Sequence, residues 1–584
     1  MLFVKKKIQY TASLLVSCCL GFYGPLVSSA SDKEPDSLVS YYDLVHPIIS
    51  RSGMVVSQND IASEVGAQIL REGGNAIDAA VATAFALAVT LPRAGNLGGG
   101  GMMMIHLAQE NKNIALNYRE LAPEAAYETM FLDKQGEPIS EKSLHTLAAA
   151  GVPGTVAGMH HALTKYGTMT WSQVIAPAEK LAREGIVIND DIVRNINVSP
   201  ALKDDAESCR VYFKKDCVTY KPGERLKQTD LANSLSALRK GGAEVFYHGE
   251  IAEKIVKAMK KGGGLITAED LANYHVEELT PIYGQFRDYQ IVTMPPPSSG
   301  GIHLVQMFNM LDALPLKTIE VGSALLLHYQ IEIFKRAYAD RSKYLGDTDF
   351  VHVPVKGLTD PAYAKQLVKN IKADVVTPSS AIKAGKVPSY ESPDTTHISV
   401  MDKQGNVVSN TYTLNHSFGS GITIPGTGIL MNNTMDDFSI KPGSPNSYGL
   451  IGGEANAIHA GKHPLSSMTP TIVLKQGKPF LATGTPGGSK IISSVFQQLT
   501  YILAYDVNLA EATIRPRVHH QWMPDVVYVE KSLNPDTRDK LLSMGYKVEQ
   551  SKSLGSLQSV MYQEDVFFGY ADPRRPHAKA VAAD

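Results

Sequence analysis

Thr395 and Thr413 are the two residues whose types and spacing first suggest chemistry. Residues 396–401 and 407–414 are rich in β-branched and aromatic types, and Asp402-Lys403-Gln404-Gly405-Asn406 between them suits a type I turn closed by a left-handed glycine. With Lys403, Gln404 and Gly405 as a three-residue loop, Asp402 faces Asn406. Counting back along both strands then brings Thr395 opposite Thr413, and directly opposed residues share a sheet face with Cβ atoms about 5 Å apart. A mid-chain threonine hydroxyl is a poor nucleophile because nothing nearby takes its proton. At a chain terminus its own α-amine, with an unperturbed pKa near 8, can do so. The segment ahead of Thr395, residues 376–394, is full of Pro, Ser and Gly, and is a good place to cut a chain. The competing reading makes Thr395 and Thr396 ordinary β-formers in an edge strand.

Polar groups gather in the stretch that follows. Residues 430–438 hold Asn432, Asn433, Thr434, Asp436 and Asp437 within a few positions, and residues 441–453 form a loop of Gly, Pro and Asn around Tyr448, long enough to act as a lid. Ser466 and Ser467 offer paired hydroxyls just before a strand over 471–474. Gly487 and Gly488 open a helix that begins near Lys490, and backbone amides at a helix start are natural anion donors. In acyl transfer they would stabilise an oxyanion, where losing one donor costs about 3–4 kcal/mol. Arg119 ends a strand over 114–118, where it either projects into a cleft or pairs with Glu120. Each piece alone has a bland explanation in turns and caps; their concentration behind one candidate nucleophile is informative.

The elements that must position these residues are legible in part. Ile61, Val65, Ile69 and Leu70 follow a helical period that stops at Gly73-Gly74. Asn75 reads as an N-cap with Asp78 three residues on, opening an Ala-rich helix to about Val89 that should be buried. The four glycines Gly98 to Gly101 mean either backbone packed where no side chain fits or a mobile loop. They are no phosphate loop, since the Lys-Ser/Thr pair is missing and a strand, 102–107, follows. Residues 155–376 read as mostly helical, interrupted by Met294-Pro295-Pro296-Pro297-Ser298-Ser299-Gly300-Gly301. After Thr395 strands and glycine turns dominate, and helix returns over 491–505 and 534–544.

The chain of 584 residues carries a formal charge of −2 and a pI near 6.8. That excludes a basic nucleic-acid face and an acidic tail, and leaves small molecules as the expected partners. Lys5, Lys6 and Lys7, an apolar run over 8–27 and Ser28-Ser29-Ala30 read as a secretory signal cut after Ala30. Leu15-Val16-Ser17-Cys18 keeps a lipid anchor on Cys18 open. No later apolar run is long enough to span a membrane. Cys209 and Cys217, in a polar, loop-like stretch of an exported chain, are expected to form a local disulfide. His160-His161 and His519-His520 read as packing or surface residues, no metal-ligand spacing appears, and no Gly-x-Ser-x-Gly elbow is present. Neither metal nor cofactor is expected.

The motifs Gly95 to Gly101, Tyr118-Arg119-Glu120, Val152 to Gly158, Pro295 to His303, Thr395-Thr396-His397, Asn432 to Ser439, Pro464 to Pro470 and Pro486 to Ser489 together resemble those of the bacterial γ-glutamyltranspeptidases, members of the N-terminal nucleophile hydrolases. The resemblance covers nearly the whole chain after residue 30. It implies an α+β fold, a four-layer αββα sandwich made as one precursor that cuts itself between Asp394 and Thr395. A signal peptide, 1–30, would precede a large subunit, 31–394, and a small subunit, 395–584, the two subunits forming one sandwich. It further implies that Thr395 attacks the γ-amide carbonyl of glutathione or related γ-glutamyl compounds, and that water, an amino acid or a dipeptide resolves the ester. Thr413 would orient Thr395, and Gly487 and Gly488 would hold the oxyanion. Arg119, Asn415, Ser466 and Ser467 would bind the substrate α-carboxylate, Asp437 its α-ammonium, and Tyr448 would sit on the lid. Two positions depart from the family pattern: Thr434 stands where Gln or Glu is usual, and Lys490 where Arg commonly follows. The location implied is periplasmic or secreted. Competing readings are a related acylase acting on glutaryl-type β-lactam side chains, and an exported binding protein that never matures.

Overall fold

The strands Asp394–Asp402 and Val407–Asn415 pair antiparallel, with Thr395 opposite Thr413 and Ser399 opposite Ser409. The register counted from the loop is the register observed. The Asp402 N–H donates to the Asn406 carbonyl at 3.1 Å, and Gly405 takes φ +90°, a conformation glycine adopts without a Cβ penalty. The Asp402 carboxylate accepts the N–H and Nδ2 of Asn406 at 2.9 and 2.8 Å, and the Ala76 N–H at 2.8 Å. It thereby fastens the turn to the first turn of the helix Ala76–Thr90. Asn75 caps that helix in a capping box with Asp78, and all fifteen helical residues are buried, which is why the segment can do without polar side chains.

The computed structural model describes residues 43–383, 394–441 and 453–584, with Val45–Asp584 forming one folded unit. Tyr448, Cys18 and the leader read at residues 1–30 lie outside the described residues. Two seven-stranded sheets dominate. One runs, in spatial order, Lys579–Ala582, Gly53–Ser57, Asp394–Asp402, Val407–Asn415, Gly100–Leu107, Lys112–Tyr118 and Glu277–Leu279. The other runs Ile48–Ser50, Val566–Ala571, Gln558–Gln563, Lys478–Gly484, Thr471–Lys475, Tyr289–Thr293 and Ile282–Phe286. The strand of Thr395 is thus interior to its sheet, and the edge-strand reading holds only for its first residues. Its pairing with Gly53–Ser57 starts only at Ile398, opposite Ser57, so its first residues are paired on one side alone.

Alternation along that strand sets the layers. Ile398 and Val400 join Ala79, Val81 and Phe85 in the core under the helices Asp60–Arg71 and Ala76–Thr90. Met401 and Val407 face the other sheet, where they pack with Met54, Met102, Val292, Ile472 and Val560. The far face of the second sheet carries Ile291, Val473 and Leu481 against Leu304, Phe308, Phe334 and Phe496, from the helices Gly300–Asp312, Ala324–Tyr344 and Lys490–Tyr505. The result is helix, sheet, sheet, helix: the αββα sandwich that the resemblance implied.

Two local expectations change. Residues 155–376 are not helical throughout: Glu277–Leu279, Ile282–Phe286 and Tyr289–Thr293 supply the outermost strand of one sheet and a hairpin to the other. Cys209 sits buried in the helix Ala206–Tyr212 instead of a loop; its sulfur is bonded to that of Cys217, with Cα atoms 5.4 Å apart.

Candidate active site

Thr395, His397 and Ser399 share the inner face of their strand, because side chains alternate. Ser399 Oγ donates to the Gln558 carbonyl at 2.9 Å and Ser409 Oγ to the Thr483 carbonyl at 3.0 Å, so this face is locked onto the opposite sheet. His397 lies beneath Gly484, where an added Cβ would stand 2.3 Å from its Cε1. Its ring nitrogens are engaged by Thr411 and Ser399 at 2.7 and 3.1 Å, and burial pushes its pKa down to about 3. It is a neutral spacer and no base. The chain leaves Gly484 through Thr485 and Pro486 into Gly487, at φ +138°, and Gly488, at φ +56°. Both values suit glycine, and both residues precede the helix Lys490–Tyr505, whose first amides bond back to the Gly487 and Gly488 carbonyls at 3.1 and 2.9 Å. The strand Lys478–Gly484, which meets His397 at Gly484, thus runs on through two glycines into a helix N-terminus.

Thr395 and Thr413 are almost fully buried, 5% and 3% exposed. Thr413 Oγ1 accepts the Asn415 N–H at 2.8 Å, and Asn415 Nδ2 donates to the Asn433 carbonyl at 3.0 Å. The glycine run makes room for this: a Cβ on Gly99 would lie 1.9 Å from the Thr413 carbonyl oxygen, and one on Gly101 would lie 2.4 Å from Tyr412 Cβ. The run is packed backbone, not a loop in motion. Asn432 ties it to the next segment, donating to the Gly98 and Gly151 carbonyls at 2.8 Å each.

Beside Asn415 lies the single turn Thr434–Asp437. Arg119, just past the strand Lys112–Tyr118, reaches Asp437 through Nη2, Glu120 through Nη1 at 3.3 Å and the Pro464 carbonyl through Nε at 3.4 Å. The pairing of Arg119 with Glu120 is therefore realised, with Asp437 as a second acidic partner and all three side chains buried. Thr434 Oγ1 donates to Glu120 Oε1 at 2.9 Å, so the departing residue engages Glu120. Ser466 bonds through its N–H to the Pro297 carbonyl at 2.8 Å, and Ser467 Oγ accepts from Arg341 Nη2 at 3.1 Å. Arg341 Nε also donates to Ser299 Oγ at 2.9 Å. Sequence reasoning noted the Ser298-Ser299-Gly300-Gly301 turn without a role and passed over Arg341, one of two buried arginines in the helix Ala324–Tyr344.

Lys490 follows Ser489, and its N–H closes on Gly487. Behind it His519, held by Ser493 and Gln521 at 2.8 and 3.1 Å, is buried with its pKa pushed to about 3, and His520 is buried as well, so this pair packs as expected. Among the described residues no three His, Cys, Asp or Glu side chains converge in a metal-binding arrangement, and no helix is long and apolar enough to cross a membrane.

The sequence model of the gamma-glutamyltranspeptidase family matches residues 62–582. This chain belongs to that family. It is 50% identical over 551 residues to a glutathione hydrolase proenzyme of Escherichia coli, covering 94% of this chain and 95% of that one. Among solved structures, the gamma-glutamyltranspeptidase of Helicobacter pylori aligns with TM-score 0.56 and 46% identity over 60% of this chain and 97% of that chain. A cephalosporin acylase from Bacillus halodurans aligns with TM-score 0.81 and 26% identity over 94% of this chain and 99% of the other. The N-terminal nucleophile hydrolase fold is common to all of these.

Proposed function

We propose that this member of the gamma-glutamyltranspeptidase family cuts itself before Thr395 and then transfers the γ-glutamyl group of glutathione and related compounds to water or to an amine. The observation that carries this reading is the register: Thr395 heads a strand opposite Thr413, and two residues on along the same face His397 lies against Gly484, from which the chain runs into Gly487 and Gly488. In maturation the Thr395 hydroxyl adds to the Asp394 carbonyl, the peptide C–N bond breaks, and water hydrolyses the resulting ester. One cut thus frees the α-amine that serves as base thereafter. In turnover the hydroxyl adds to the γ-carbonyl while its proton passes to the amine. The oxyanion lies against the Gly487 and Gly488 amides, and the leaving amine departs with the proton. Water, or the amine of an amino acid or dipeptide, then resolves the γ-glutamyl ester.

The α-amino acid head is assigned to Arg119, Asn415, Ser466 and Ser467 for the carboxylate and to Asp437 for the ammonium, with Thr434 acting through Glu120. Support comes from the Arg119–Asp437 pair, which presents adjacent opposite charges to a zwitterion. An acylase acting on glutaryl groups is the second reading, favoured by the breadth of the structural likeness to the cephalosporin acylase. A glutaryl group lacks the ammonium that Asp437 would bind. Residues 1–30 are assigned as a secretory signal, with the product periplasmic or secreted, and a lipid on Cys18 as the alternative anchor.

Intact mass with N-terminal sequencing tests the first half: two chains are expected, one beginning at Thr395. Rates on γ-glutamyl and glutaryl anilides test the second, with the γ-glutamyl compound faster. A matured enzyme that prefers the glutaryl anilide would replace this reading with the acylase.

A further inference from the structure

The Arg119–Glu120 dipeptide is held by its backbone as well as by its charges. The Arg119 N–H donates to Asn117 Oδ1 at 3.0 Å, the Tyr274 hydroxyl donates to the Arg119 carbonyl at 2.8 Å, and the ring of His463 meets the Glu120 carbonyl through Nδ1 at 3.0 Å. Two of these holders converge on one carboxylate: Asn117 Nδ2 donates to Glu277 Oε2 at 2.6 Å, and His463 Nε2 stands 3.5 Å from the same oxygen. His463 is buried, and it lies three residues before Ser466 on the segment whose Pro464 carbonyl accepts from Arg119 Nε.

The geometry dictates a protonation state. A carbonyl oxygen only accepts, so Nδ1 must carry a proton; a neutral ring would then turn its Nε2 lone pair toward the Glu277 carboxylate. Only the imidazolium satisfies both neighbours. We propose that protonated His463, backed by Glu277, is a positioning residue that holds Arg119 in place for the substrate carboxylate, so that substrate affinity falls as His463 loses its proton.

The charged surroundings agree. Asp347 accepts the His463 N–H at 2.8 Å, while the neighbouring Lys462 turns its ammonium away to the Ala455 and Ala457 carbonyls at 2.7 and 3.1 Å. Arg119 spends its charge on Asp437 and Glu120, and Asp349 and His275 complete the groups near His463 and Glu277. Burial opposes the charged ring, but Glu277 and Asp347 outweigh it and leave His463 above the usual histidine range. The sign follows: with a raised folded-state pKa, the hold is complete at low pH and is lost as pH rises through that value.

This role rests on the γ-glutamyl reading of the Arg119 site, and the test separates the two. kcat and KM for γ-glutamyl anilide hydrolysis are measured from about pH 5.5 to about pH 9 on matured wild type, His463→Asn and Glu277→Gln. Asparagine keeps a donor near Nδ1 but cannot titrate. KM for His463→Asn is expected about fivefold higher near pH 6, the loss of a charge-assisted bond, with kcat within about twofold and the wild-type rise of KM with pH flattened. Glu277→Gln removes the anion and should move that rise to lower pH. A merely structural histidine would change melting or kcat and leave the pH dependence of KM intact. If His463→Asn keeps the wild-type KM profile, the positioning role is overturned while the function stands. If matured wild type does not turn over the anilide, the functional reading fails and this role falls with it.

Discussion

In the proposed mechanism the Thr395 hydroxyl does two jobs, cutting its own chain and then attacking a substrate. Thr395→Ala is therefore expected to give a single uncut chain by intact mass and no detectable γ-glutamyl hydrolysis; ordinary turnover by that variant would sink the mechanism. In the same proposal Arg119 serves only the second job. Arg119→Ala should still cut itself, while KM for γ-glutamyl substrates rises about 10- to 100-fold, the scale of a lost charge-assisted bond. Its melting temperature should fall too, since Asp437 would keep a buried charge without its main partner. The departure at Thr434 is smaller. Thr434→Val keeps the shape but removes the donor to Glu120 Oε1, and should cost about 1–3 kcal/mol in a denaturant titration, read together with a higher KM.

Among the elements, the hairpin was legible because its period is two and its loop length fixes the register, so nothing beyond local sequence was required. The helix Lys490–Tyr505 was legible as well, expected over 491–505. Ile282–Phe286 was missed although it alternates, with Ile282, Gly284 and Phe286 inside and Tyr283 and Gln285 outside, because it is short and sits among helices. The pairing of Arg341 with Ser467, and of His463 with Glu120, joins residues far apart in the chain; no local pattern encodes such contacts. The glycine run remained ambiguous for a related reason, since its meaning depends on what lies across from it. Gly99→Ala should now be decisive. A methyl 1.9 Å from the Thr413 carbonyl must push the hairpin aside, so a strongly lowered melting temperature and failed self-cleavage are expected. Gly136→Ala, which meets nothing within 4 Å and pays only for its φ of +78°, should cost about 1 kcal/mol and mature normally.

For the whole molecule, acid is the natural stressor. His303, His397 and His519 are all buried with pKa values near 3, so the folded chain stays unprotonated at sites where the unfolded chain binds protons below about pH 6.5. The unfolded state then holds more protons, and stability drops as pH falls, by about 4 kcal/mol per pH unit between roughly pH 5.5 and pH 4 for three such groups. Urea titrations across that range check the slope. A second property follows from strand order. In the sheet of Thr395, Gly53–Ser57 lies between Lys579–Ala582 and Asp394–Asp402, so a cut before Thr395 leaves a strand of one product sandwiched between two strands of the other. Before the cut, each half searches for its partner at the millimolar effective concentration that a tether provides. After it, reassembly from the denatured state is a bimolecular search that weakens with every dilution. Uncut Thr395→Ala should accordingly regain its native spectrum when diluted from denaturant at nanomolar concentration, whereas the matured enzyme should not. Self-cleavage would thus convert a protein that can refold into one that folds once, and its working lifetime would be set by how slowly it first unravels.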